Sequence, residues 1–220
     1  AQVHRRLHET NNGPLSNDTV SYLFTEIISS CRAQEELLSI ACLGPAGTFS
    51  EEAVVRQFGS QVCIVYCHTI DEVFKSVGSG TAAYGVVPLE NSTEGAISRT
   101  LDLLFEASLT LSGEVGLPVR HSLLSNEKPQ DIEKIFSHSQ SLSQCQRWLG
   151  DNFPFAQLIP VASNATAAKM VASEERSAAI ASQIAGHHYG LSVLHSSIED
   201  KPDNTTRFGV ISKSAVGASG

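Results

Sequence analysis

Residues 37–58 read LLSIACLGPAGTFSEEAVVRQF, and the succession of residue types in this stretch decides the fold class. Residues 37–43 have the length and apolar content of a buried strand. The turn GPAGT follows at once, and SEEAVVRQF (residues 50–58) reads as a helix. The same unit recurs down the chain. VCIVY (62–66) predicts a strand, IDEVFKSV (70–77) a helix and YGVVPLE (84–90) a strand. Residues 97–107 predict a helix, and SLTLSGEVGLPVRHSLL (108–124) is strand-like throughout. A strand at 133–138 leads into a helix over 139–150, with Gly150 as its stop. AQLIPVA, NATAAKMVA, SAAIAS, LSVLHSSI and RFGVIS continue the alternation to residue 212. Repeated βα units predict an α/β fold with helices packed on mainly parallel sheets. A ligand then belongs at the polar turns beyond the strand ends.

Residues 1–36 have another character. Ser16, Asn17 and Asp18 supply a polar cap. Val20, Leu23, Phe24, Ile27, Ile28 and Cys31 then recur at helical spacing, so an amphipathic helix is expected whose apolar stripe needs another surface, either the following domain or a second copy of the chain. Asn11-Asn12-Gly13-Pro14 breaks the chain before it, and residues 1–10 read as the tail of an earlier helix. The GASG end, within an unstructured tail over 213–220, is set apart from the fold.

The 220 residues are 41% hydrophobic and 17% charged, enough for a core in one domain or two small lobes. A formal charge of −8 argues against a nucleic-acid partner, since phosphate binding needs a basic surface. No apolar run is long enough to span a bilayer, and the N-terminal residues have no apolar signal core; a cytoplasmic protein is expected. Cys31, Cys42, Cys63, Cys67 and Cys145 are odd in number and scattered, as small hydrophobes rather than a disulfide frame. Cys63 and Cys67, four apart in a strand, lie roughly 13 Å apart, too far for one zinc ion. No metal and no cofactor are predicted.

Four turns carry candidate chemistry. GPAGTFSE (44–51) joins glycines to a helix N-terminus, where free N–H groups suit an anion; a plain turn capped by Thr48 or Ser50 reads equally well. VPLENSTEG (87–95) gathers a carboxylate, an amide and hydroxyls at a strand end, including Glu90, Asn91, Ser92 and Glu94. FSHSQ (136–140), with Gln144 and Cys145 on the next helix, offers His138 as a general acid or base or as an ordinary strand-end residue. NTTRF (204–208) sets two hydroxyls beside Arg207, as an anion-binding element or as an edge strand. Ser163-Asn164-Ala165-Thr166 is at least a helix cap. The site is thus expected to hold mostly neutral donors plus one arginine, suited to a small anionic metabolite.

In this order GPAGTFSE, VPLENSTEG, FSHSQSLSQC, SNATAA and NTTRF resemble the motifs of prephenate dehydratases, over about residues 40–212. Residues 1–36, with GPLSNDTVSYLFTEIISSCRAQE at 13–35, resemble the C-terminal helices of the chorismate mutase fused ahead of the dehydratase in bifunctional bacterial enzymes. The resemblance implies two α/β lobes like those of type II periplasmic binding proteins, with the active site between them. The lobes are expected at about 38–117 plus 190–212 and at about 118–189. It further implies that Thr206 is the catalytic hydroxyl and that Asn91, Ser137 and Gln144 bind or orient substrate. Thr48, Ser50, Ser92, Thr166, Thr205 and Arg207 complete the substrate-binding set, with Arg207 serving a substrate carboxylate or orienting its own motif. Ser139 departs from the family, which commonly has proline there. Prephenate is the implied substrate, arogenate its near-identical alternative, and a homodimer the implied assembly. No mutase activity is expected from this chain; similar enzymes continue past the last strand into a domain that binds phenylalanine, so the sequence is expected to be either a fragment or a form without that control. A non-catalytic two-lobe binding module for a small anion is the rival class.

Overall fold

The computed structural model describes residues 2–93 and 95–213. Glu94 and all of the expected tail except Lys213 lie outside the described residues.

Two helices lead the chain, α1 (Gln2–Thr10) and α2 (Asn17–Ala33). Ser16 starts α2 by accepting a hydrogen bond from the Thr19 N–H, the N-cap the sequence called for. The face of α2 that docks on the following domain is not the apolar stripe. Its buried residues are Thr25 and Ser29. The Glu26 carboxylate accepts from the backbone N–H and hydroxyl of Ser60, and the Ser29 hydroxyl oxygen accepts from the Gln61 N–H. Gly59, at φ +81°, makes this approach possible, because a Cβ there would lie 2.4 Å from that of Ser29. Tyr22, Leu23, Phe24 and Ile27 stay exposed.

The first lobe runs through β1 (Ser39–Leu43), α3 (Phe49–Phe58), β2 (Cys63–Cys67), α4 (Ile70–Ser79) and β3 (Tyr84–Asn91). The short β4 (Gly95–Ala96), α5 (Ser98–Glu106) and β5 (Thr110–Pro118) follow. After residues 119–121 the chain enters a second lobe with β6 (Ser122–Ser125), β7 (Lys134–Ser137), α6 (Ser139–Gln144) and α7 (Gln146–Asn152). This lobe continues with β8 (Gln157–Pro160), α8 (Asn164–Val171), β9 (Ser177–Ala181), α9 (Gln183–Tyr189) and β10 (Ser192–His195). Residues 196–204 cross back, and β11 (Thr205–Ser212) completes the first sheet. The strand orders are β2-β1-β3-β11-β5, with β4 beside β3, and β10-β6-β9-β7-β8.

Each sheet is covered on both faces, which is why its central strands read as unbroken apolar runs. In the first lobe Cys42, Val86, Phe208 and Val210 pack with Ala53 and Val54 of α3. Ala41, Val87 and Ile211 meet Val73, Phe74 and Val77 of α4 on the reverse face. In the second lobe Ile135 and Ile180 pack with Leu142 and Leu149, and Phe136 and Ala179 with Ala167, Ala168 and Val171. Cys42 and Cys145 belong to these cores, and burial pushes each thiol up to about 12.

Four expectations need correction. The sheets are mixed rather than mainly parallel: β1–β2, β1–β3, β7–β8 and β7–β9 are parallel, whereas β11 and β6 run against their neighbours. Both opposed strands follow a crossing, so they start at the boundary between the lobes where the parallel strands end. The strand-like run 108–124 is cut at 119–121 and serves both sheets. The helical run 139–150 is two helices that part at Cys145, and the second passes through Gly150 to Asn152. Finally, β10 pairs with β6, so the return to the first lobe falls after His195 and not near residue 190.

Candidate active site

A cleft of about 330 Å³ lies between the lobes, where β1, β3, β7, β8 and β9 all end. Four helices begin at its wall. Thr48 caps α3, His138 precedes α6, Ser163 caps α8 and Ser182 caps α9, and all four line the cavity. The first N–H groups of a helix have no intrahelical acceptor, so four positive dipole ends face one space. Among the described lining residues there is no Asp, Glu, Lys or Arg. An anion would be met here by backbone and neutral side chains.

The lobes touch beside this wall. Ser182 Oγ donates to the Gly47 carbonyl at 2.8 Å, and the Tyr189 hydroxyl donates to the Ala46 carbonyl at 2.9 Å. His188 Nε2 lies 2.5 Å from Oε1 of the buried Glu51, whose Oε2 accepts the Gly47 N–H. Gly47 has φ +88°, and a Cβ there would stand 2.8 Å from Ala185, so only glycine lets α9 approach the turn.

On the first-lobe side, β3 and β11 set Asn91 opposite Thr206 in register. Asn91 Oδ1 accepts from the Thr93 N–H at 2.9 Å and the Thr93 hydroxyl at 2.5 Å. With its oxygen occupied, Asn91 turns Nδ2 to Thr206 and donates to Oγ1 at 2.8 Å. Thr206 is the acceptor in that bond, so its own proton remains available to a ligand. The residue is 8% exposed and lines the cleft.

On the second-lobe side, Gln144 Oε1 lies 2.8 Å from Nε2 of His121 and 3.5 Å from Nδ2 of Asn204. His121 stands in the first crossing and Asn204 in the second, so this amide is tied to both connections. Arg120 bridges the crossings as well, through the Glu199 carboxylate and the Pro202 carbonyl. Burial holds the His121 imidazole below the ordinary histidine value, opposed by the Gln144 bond and the Glu199 charge.

Of the residues singled out from sequence, the structure brings Thr48, Ser50, Asn91, Gln144 and Thr206 to the cavity wall. His138, weighed as a general acid or base or an ordinary strand-end residue, and Asn204, noticed only within its motif, join them. Ser137, Thr166, Ser92 and Thr205 are not among the lining residues but bond to residues that are, or lie beside them. Ser137 is fully buried with its hydroxyl 2.9 Å from Oδ1 of Asn164, a lining residue. Thr166 bonds the capping hydroxyl of Ser163. Ser92 ties β3 to the second crossing by accepting the Thr205 N–H and bonding Asn204.

Arg207 faces away from the cavity. Successive residues of a strand point to opposite faces, and Thr206 takes the cleft side. The guanidinium pairs with Glu90 at 3.0 Å and Glu114 at 2.8 Å on the two flanking strands. Its expected role on a substrate carboxylate is therefore withdrawn. His121 and Thr93 were not found from sequence. His121 sits inside a run that reads as one strand, and its only sequence signal is a histidine among apolar residues.

The sequence model of the prephenate dehydratase family matches residues 40–216. The bifunctional chorismate mutase/prephenate dehydratase of Pseudomonas aeruginosa is 47% identical over all of this chain, which spans 61% of that protein's length. A prephenate dehydratase of Arthrobacter aurescens, solved in complex with L-Phe, superimposes with a TM-score of 0.73 at 29% identity, covering 81% of this chain and 60% of that one. GqqA, described as a novel type of quorum quenching acylase, superimposes with the same TM-score and identity over 80% of this chain and 64% of its own. The match spans β1 to β11, including both crossings and the strands that face Asn91 with Thr206, and on that ground the chain belongs to the prephenate dehydratase family.

Proposed function

We propose that this chain dehydrates and decarboxylates prephenate to phenylpyruvate, the step that commits the aromatic precursor to L-phenylalanine. The bond from Asn91 to Thr206 carries the reading. Prephenate must lose its ring hydroxyl and ring carboxylate together, and the ring then becomes aromatic, which supplies the driving force. What the protein must add is help for the departing hydroxyl. Thr206 accepts from an amide donor, which leaves its own O–H free to donate to the ligand. General acid assistance is worth about 10²–10⁴ in rate, and a hydrogen bond without proton transfer less.

The absence of fixed cations among the described lining residues fits the same chemistry. The ring carboxylate gives up its charge as carbon dioxide forms, so a tight ion pair would stabilise the ground state more than the transition state. The side-chain carboxylate keeps its charge, and the first turns of α3, α6 and α8 offer it backbone donors. An acylase reaction, by contrast, calls for an activated nucleophile. Thr206 has a donor where such a hydroxyl needs a base.

The role in biosynthesis goes with a cytoplasmic enzyme, and the helices α1 and α2 with the end of a mutase domain that has no mutase activity in this chain. The exposed Tyr22, Leu23, Phe24 and Ile27 support a homodimer formed through α2. Turnover assays with prephenate and arogenate side by side test the substrate. Phenylpyruvate formed with a higher kcat/KM than phenylalanine supports the reading, and the reverse order replaces it with the arogenate reaction. Sedimentation over a range of concentrations tests the dimer.

A further inference from the structure

His121 presents a combination that a purely structural histidine does not need. It is 2% exposed, its ring stands edge-on to Phe49 at 5.7 Å between centroids, and its Nδ1 is buried with no hydrogen-bond partner. An unpartnered buried polar atom costs stability, so the other end of the ring must justify it. That other end meets Gln144 Oε1, which also faces the Asn204 amide. An amide oxygen approached by two nitrogens is the acceptor for both. Nε2 of His121 is then the protonated nitrogen, and Nδ1 keeps a bare lone pair. With its oxygen held in this way, Gln144 has only its NH2 left to offer the cleft.

We propose that His121 is a positioning residue: its neutral Nε2–H tautomer holds the Gln144 amide with the NH2 turned into the cleft as a donor to an oxygen of the bound substrate. The idea rests on the dehydratase reading for the identity of that substrate. If the imidazole were lost, the amide could turn over and present an oxygen to an anionic ligand, replacing an attraction with a repulsion. Because His121 and Asn204 belong to different crossings, the orientation of Gln144 also depends on both connections keeping their places.

The test pairs kinetics with a measurement that needs no activity. ¹⁵N NMR of the histidine rings in the whole chain should show His121 neutral, with the proton on Nε2. A charged ring, or a proton on Nδ1, overturns the proposal whether or not the chain turns over prephenate. Among variants, His121→Leu should raise KM for prephenate about tenfold, the value of one well-placed hydrogen bond, with a smaller change in kcat. His121→Gln restores an N–H near the Nε2 position and should recover KM to within about threefold of the starting value. Gln144→Leu combined with His121→Leu should be no worse than Gln144→Leu alone, because the two act through one amide. Equal damage from His121→Leu and His121→Gln, or losses that multiply in the double variant, overturns the proposal. Should His121→Leu not fold, His121→Phe keeps the ring against Phe49 and enters the same comparison. A starting chain with no prephenate turnover defeats the dehydratase reading alone, while the ring spectrum still decides the tautomer.

Discussion

Thr206 and Arg207 are adjacent in the chain and face opposite sides of one sheet. On the cleft side, three uncharged residues form a directed chain in which Thr93 donates to Asn91 and Asn91 donates to Thr206. On the far side, Arg207 lies between Glu90 and Glu114 in a half-exposed ladder across three strands. The charged residue is the conspicuous one in the sequence, yet its charge is spent on strand neighbours. The quiet threonine beside it has an oriented hydroxyl and a cavity to point into. The difference shows that orientation, more than charge, marks the functional face of β11.

The largest expected effect falls on the cleft face. Thr206→Val keeps the shape and the strand propensity of the residue and removes only the hydroxyl, so the fold should hold while kcat falls about 10²–10⁴-fold. Phenylpyruvate formation at saturating prephenate measures it, and turnover near the starting value would remove Thr206 from the mechanism. One step back, Asn91→Leu deletes the donor that turns the Thr206 proton outward. A loss of about tenfold in kcat is expected, because the hydroxyl survives without its orientation. Two steps back, Thr93→Val breaks one of two bonds to Asn91 Oδ1 and leaves the backbone bond in place. Here the expected loss is only about two- to threefold. A Thr93 effect as large as that of Asn91 would mean that the chain is not ordered as the hydrogen bonds imply.

Much of this was legible in the sequence, and for physical reasons. Strands covered on both faces must be continuously apolar, so the sudden polar turns at Gly44, Glu90, Ser137 and Asn204 mark strand ends, and those ends meet at the cleft. Strand direction was hidden, because a buried strand reads alike whichever way it runs. The crossing at Val119-Arg120-His121 is short and the run 108–124 does not itself interrupt its strand-like pattern there, so the lobe boundary expected at about 117/118 came from the family resemblance and not from these residues. The helix break at Cys145 carries neither proline nor glycine, whereas Gly150, which looked like a stop, lies inside α7. The stripe on α2 was read as apolar with either the following domain or a second copy of the chain to cover it, and the following domain leaves most of it exposed. Close approach to Gly59 favours small Thr25 and Ser29, which leaves Tyr22 and Phe24 outside. The direction of Arg207 was available: the two-residue period of a strand already sets it opposite Thr206.

The smallest expected effect lies on the far face, and it is the one that most sharply separates the two sides of β11. Arg207→Gln removes the guanidinium while keeping a long polar side chain that can still bond one carboxylate. Kinetic constants for prephenate should stay within about threefold of their starting values, because an exposed ion pair contributes little and this one does not face the cavity. Thermal stability should fall slightly, since Glu90 and Glu114 then face each other across β11 without the cation between them. The deficit should shrink as salt is raised, because screening weakens repulsion between exposed carboxylates. A large rise in KM that salt does not relieve would place Arg207 on the substrate after all. It would also mean that the strand turns over near the bulge at Leu89, where the register between β3 and β11 shifts.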